Sequence, residues 1–182
     1  EVRRTLIHAR AASGARVLSV VAGDFYGPRV MMAHSGERMM RPLLAGKTVR
    51  PVGKVDIPHA FTYVPDLATA MVRASSLEGA GHELVMAPHA GSLTMRELAT
   101  LTATAAGLPS PRLAPISQGM ISALGVVVPS LREVAEVTYQ FTQPFEIDAR
   151  AGAARLGLTA TPWDQAAAET VAWWRDQALA SA

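Results

Sequence analysis

The chain of 182 residues has no cysteine. Disulfide staples and thiolate metal sites are thereby excluded, and a reducing compartment is compatible with the composition. Aromatic residues are scarce at 5%, charged residues reach only 18%, and no 18-residue apolar run occurs. Neither a solvated disordered segment nor a membrane-spanning helix is expected. An excess of one charge is also lacking, since 17 Lys and Arg stand against 15 Asp and Glu for a net +2. Without a basic run there is no electrostatic footprint for nucleic acid or anionic lipid. The five histidines are scattered, with no His-x-x-x-His pair or carboxylate cluster at metal spacing, so no metal site is expected. The opening EVRRTLIHAR places charges where a signal peptide carries its apolar region, and the expectation is a soluble, cytoplasmic protein.

What the chain does have is core-forming material, 49% hydrophobic residues, enough for one domain. In RVLSVVAGDFYGPR, residues 16–29, Val17, Leu18, Val20 and Val21 read as a strand buried on both faces, stopped in a loop by Gly23, Gly27 and Pro28. Apolar periodicity predicts helices over 1–13, 35–44, 65–75, 95–106, 118–128, 130–139, 149–156 and 162–179. Short strands are expected at 47–53, 61–64, 82–87, 111–116 and 145–148. Ser92 or Thr94 can cap the helix in which Glu97 occupies the first turn, and Pro65 with Asp66 suits a helix start. Strands alternating with helices argue for α/β.

In open α/β sheets ligands lie beyond the carboxyl ends of strands, which makes the 22–29 segment the leading site. Ala22 and Gly23 have side chains small enough for close approach of a ligand, or simply end the strand. Asp24 can accept hydrogen bonds from alcohol hydroxyls or satisfy its own turn. Phe25 can wall a pocket, and Tyr26 can stack on a ligand or pack inside. Arg29 can clamp an anion or lie in solvent, Lys47 and Arg50 offer the same choice, and His59 is a ligand contact or a surface histidine.

Three segments, DFYGPR at 24–29, HAFTYVPDLATA at 59–70 and the tail from Phe145 to Gln177, follow one another in an order and spacing that resembles the NAD-dependent epimerase/dehydratase family, the extended short-chain dehydrogenases/reductases. The resemblance implies the C-terminal part of a Rossmann-type parallel sheet with an appended mixed α/β substrate-binding lobe. It further implies that residues 1–182 form one substrate-side portion of a longer, homodimeric enzyme whose dinucleotide-binding half is absent. Ala22, Gly23 and Asp24 would approach NAD or NADP, while Asp24, Phe25, Tyr26, Arg29 and His59 would face a sugar-like or other small alcohol.

The family's Gly-x-x-Gly-x-x-Gly turn has no counterpart, and no Tyr-x-x-x-Lys pair exists, because Tyr26, Tyr63 and Tyr139 are followed four residues on by Val30, Leu67 and Gln143. No catalytic residue is therefore assigned, and the chain alone is expected to be inactive. The expected parent activity is hydride transfer at a carbinol or carbonyl carbon. A catalytically silent nucleotide-sensing or interaction module of the same fold is the alternative.

Overall fold

The computed structural model of the chain describes Thr5 and residues 17–78, 82–117, 119–120 and 138–180. The helices expected at 1–13 and over most of 118–139 lie outside the described residues. Four short strands are present among them: β1 (Val17–Val21), β2 (Asp24–Tyr26), β3 (Phe61–Tyr63) and β4 (His82–Met86). β1 pairs in parallel with β4, Val17 opposite His82 and Val21 opposite Met86. Ala22 and Gly23 carry the chain out of that pair into a second one, in which β2 runs parallel to β3 with Asp24 opposite Phe61 and Tyr26 opposite Tyr63. Parallel neighbours need a crossover. α1 (Glu37–Leu44) lies between β2 and β3, and α2 (Val64–Ser75) leads from β3 towards β4.

Two expectations are corrected. The stretch from Asp24 to Tyr26 is a strand rather than a loop, because the β3 ladder and a bond from the Asp24 N–H to the Ala60 carbonyl at 3.0 Å satisfy its backbone inside the protein. β1 is half-buried along its whole length rather than buried on both faces, since β4 is its only strand partner among the described residues. The segments at 47–53 and 111–116 meet only through the bridges Val49 to Leu113 and Val52 to Ile116, and 145–148 through one from Phe145 to His59.

The main core surrounds β2 and β3. Met39, Met40 and Leu43 of α1 turn inward onto Tyr26, Phe61 and Tyr63, where they meet Leu98 of α3 (Met95–Ala105) and Val171 and Trp174 of α5 (Trp163–Ala180). Thr94 caps α3 in a reciprocal arrangement, its hydroxyl accepting from the Glu97 N–H while the Glu97 carboxylate accepts from the Thr94 N–H. A smaller cluster of Ala70, Ala74, Ala87 and Leu156 lies beside β1. There α4 (Arg150–Leu156) approaches so closely that a Cβ on Gly152 would stand 2.2 Å from the Met86 carbonyl oxygen.

Candidate functional site

The two strand pairs diverge at Ala22 and Gly23, and the chain is held tightly there. The Gly23 N–H donates to the Thr62 hydroxyl at 2.9 Å, and a Cβ on Gly23 would stand 2.2 Å from the Ala60 carbonyl oxygen. Only glycine permits this approach. Asp24 therefore leaves the end of β1 at a fixed angle, and its Oδ2 lies 2.7 Å from His59 Nε2. A carboxylate partner selects the imidazole tautomer with the proton on that nitrogen.

His59 is fixed as firmly as Asp24. Its backbone N–H donates to the Leu93 carbonyl at 2.9 Å, the Leu93 N–H returns a bond at 3.1 Å, and the next N–H, of Ala60, donates to the Phe145 carbonyl at 2.7 Å. Its ring is enclosed by Phe61, Phe145 and Phe141 at centroid distances of 5.0, 5.2 and 5.8 Å. His34 also stacks on Phe141, at 4.5 Å. A small cavity is lined by His34, Lys54, Ile57, His59, Phe61 and Phe141. Burial lowers the His34 pKa from its ordinary 6.5 to about 4, the Asp24 carboxylate opposing and His59 and Arg38 reinforcing the shift. His34 is thus neutral at pH 7 while Lys54 supplies the cavity's positive charge.

The structure brings Ala22, Gly23, Asp24 and His59 together and separates the rest. Strand alternation puts Phe25 on the opposite face from Asp24, 45% exposed, with its carbonyl accepting from the Ser35 hydroxyl. Tyr26 is fully buried, its hydroxyl 2.9 Å from Thr102 Oγ1 and its ring edge-on to Trp163. Arg29 adopts φ 65°, a left-handed conformation costing about 1–3 kcal/mol for a residue of this kind. It lines a different cavity, beside α1 and the end of α5. Asp66 secures architecture, accepting from the Thr161 N–H at 2.8 Å and the Thr161 hydroxyl at 2.7 Å.

His34, Lys54 and Phe141 complete the Asp24–His59 surroundings, although nothing in their sequence neighbourhood marks them. An open groove of about 770 Å³ lies beyond β4, bordered by residues 88–92 and 146–150, and contains none of the expected site residues. Among the described residues no cluster of three or more His, Cys, Asp or Glu could hold a metal ion, and no helix is long and apolar enough to cross a membrane.

No protein-family model and no curated protein matches the sequence. Solved structures do match in fold. UDP-glucose 4-epimerase from Thermotoga maritima, solved with UDP-glucose, is 17% identical with a TM-score of 0.72 over 97% of this chain and 51% of its own. UDP-glucuronic acid 4-epimerase from Bacillus cereus, in complex with UDP-glucuronic acid and NAD, is 14% identical with a TM-score of 0.70 over 96% and 50%. MoeE5 in complex with UDP-glucose and NAD is 22% identical with a TM-score of 0.71 over 96% and 53%. The chain spans about half the length of the solved structures it matches, and it shares their α/β fold.

Proposed function

We propose that this chain is the substrate-side half of an NAD(P)-dependent epimerase, dehydratase or reductase of the extended short-chain type, acting at a carbinol or carbonyl carbon of a sugar-like substrate. One observation carries the reading: the backbone follows such epimerases over 96–97% of its length and half of theirs, with the Asp24–His59 pair at the carboxyl end of β1. Ligands of this fold class lie at such strand ends.

The residues present fit one face of a dinucleotide. Nothing larger than a methyl group projects from Ala22 or Gly23, and Gly23 is pinned by Ala60 and Thr62, so the strand end can lie flat against a nicotinamide ring. A glycine-rich phosphate turn is absent from the sequence, and the pyrophosphate would be held by the other half, as would the acid/base tyrosine. When bound, the cofactor accepts and returns hydride. In the chain itself, Asp24 Oδ2 is occupied by His59, leaving Oδ1 to accept a hydrogen bond from a substrate hydroxyl. His59 holds that carboxylate in place, and the phenylalanines around it shield the imidazole while the Asp24 side chain stays partly open. The parent would assemble as a homodimer.

A second reading, a silent nucleotide-sensing module, is favoured by the absence of Tyr-x-x-x-Lys from these residues. The parent reading frame through Ala182 decides between them when incubated with NAD and UDP-glucose or UDP-glucuronate. Turnover that Asp24→Ala and His59→Ala each reduce by roughly 10–100-fold, the value of one charged hydrogen bond, supports the enzyme. Turnover untouched by both changes, or a parent that binds neither NAD nor NADP, overturns it.

A further inference from the structure

The cavity that receives Arg29 has a volume of about 660 Å³ and is lined by Arg29, Met31, Arg41, Leu44, Trp173 and Trp174. We propose that it is a second small-molecule site, separate from Asp24 and His59, for an amphiphilic monoanion: a planar apolar body carrying one carboxylate. Its size falls within the roughly 300–1,000 Å³ typical of ligand pockets. Three observations converge on that chemistry.

Both charged residues on its wall are arginines, and no carboxylate lines it. Arg41 is answered by Glu37 one turn earlier on α1, whereas Arg29 makes no hydrogen bond or ion pair to the described residues. A guanidinium in that condition suits a carboxylate, which it can hold through two parallel bonds. The apolar part of the wall is aromatic, the rings of Trp173 and Trp174 standing edge to face at 87° with centroids 5.2 Å apart. Arg41 Cζ stands 6.0 Å from the centroid of the buried Trp174 ring, which leaves the half-buried Trp173 ring as the apolar surface for a planar ligand.

Trp174 is only 5% exposed, and its Nε1 is buried without a hydrogen-bond partner among the described residues. A buried indole N–H ordinarily has one. With less than 1 Å² of accessible surface that nitrogen is out of reach of a group in the cavity, so Trp174 contributes apolar wall and no hydrogen bond to the site. Finally, Arg29 holds a left-handed backbone, φ 65°, that glycine would adopt freely. That conformation turns the chain away from β2 and sets the Arg29 side chain against the cavity instead of beside Asp24.

The test uses the full chain with 2-naphthoate as probe and its neutral isostere 2-naphthamide as control, measured by equilibrium dialysis and by tryptophan fluorescence. The expected result is at least about a tenfold preference for the anion, the worth of one charged hydrogen bond. Arg29→Gly, which relieves the backbone conformation and should melt no lower than the parent, is expected to abolish that preference. Arg41→Gln, an exposed change, should reduce it. Equal affinity for the two probes, no naphthoate binding at about 1 mM, or a preference that survives both substitutions overturns the proposal. The Arg41→Gln arm stands should Arg29→Gly fail to fold.

Discussion

The two parallel strand pairs grow from one run of sequence and end in different environments. In β2·β3, Tyr26, Phe61 and Tyr63 are fully buried beneath α1, α3 and α5. In β1·β4, the residues from Val17 to Val21 are half-buried, Leu84 is 43% exposed, and the neighbouring cluster is built mainly of alanines. Parallel strands are ordinarily covered on both faces. β3 meets that condition from the described residues alone, all three of its residues being buried, and β2 meets it on the Tyr26 side while leaving Phe25 45% exposed, whereas no residue of β1 is buried. The core around β2 and β3 is nearly closed, while the β1·β4 pair retains apolar surface of the kind the proposed dinucleotide-binding half would cover.

The largest expected effect separates the pairs directly. Phe61→Ala removes a ring from the closed core and should cost about 3–5 kcal/mol. Val20→Ala in half-buried β1 should cost about 1 kcal/mol, two methyl groups incompletely removed from water. Chemical denaturation of both variants reads the contrast, and equal costs would break it. Repeating the pair in the parent reading frame sharpens the comparison: the Val20→Ala cost should rise while that of Phe61→Ala stays put.

A smaller effect arises where the pairs diverge. His34 stacks on Phe141 and resists protonation down to about pH 4, chiefly through burial, whereas the unfolded chain takes up that proton near 6.5. Between these values the unfolded state binds more protons, so stability is complete above 6.5 and is lost as pH falls towards 4, by about 3 kcal/mol across the window. Urea midpoints from pH 7 to pH 4 should decline for the parent protein and decline less for His34→Gln. Parallel curves would mean that the ring titrates normally and that the junction is wetter than its packing implies.

Periodic elements were legible in the sequence. The apolar spacing of Met39, Met40 and Leu43 and the Thr94 and Glu97 pair specify α1 and the start of α3 without help from distant residues. β2 was not legible, because three residues between Gly23 and Gly27 carry turn chemistry and their ladder partner lies 37 positions on, at Phe61 to Tyr63. The site divides in the same way. Asp24 and His59 could each be singled out from their own neighbourhoods, but their bond, and the presence of His34 and Phe141 beside it, depends on a crossover and on a contact from the far end of the chain. Adjacency in sequence is not adjacency in space at Arg29, which reads as part of one loop with Asp24 and stands in the structure at a different cavity, after a left-handed residue conformation.

Tyr26→Phe is the finest test of the contrast, because Tyr26 shares its strand face with Asp24 yet belongs to the core. Thr102 Oγ1 donates to the Leu98 carbonyl at 2.8 Å, so its lone pairs accept from the Tyr26 hydroxyl at 2.9 Å. Burial raises the Tyr26 pKa, and the Thr102 and Thr170 hydroxyls offset part of that rise. Removing the hydroxyl leaves a buried threonine oxygen without its donor and should cost about 1 kcal/mol, with no accompanying loss of ring packing against Trp163. In the parent reading frame the same change should leave KM and kcat untouched, whereas Asp24→Ala should move both. A Tyr26→Phe variant that keeps full stability but loses turnover would shift the boundary between lobe core and proposed substrate site one residue pair deeper into β2.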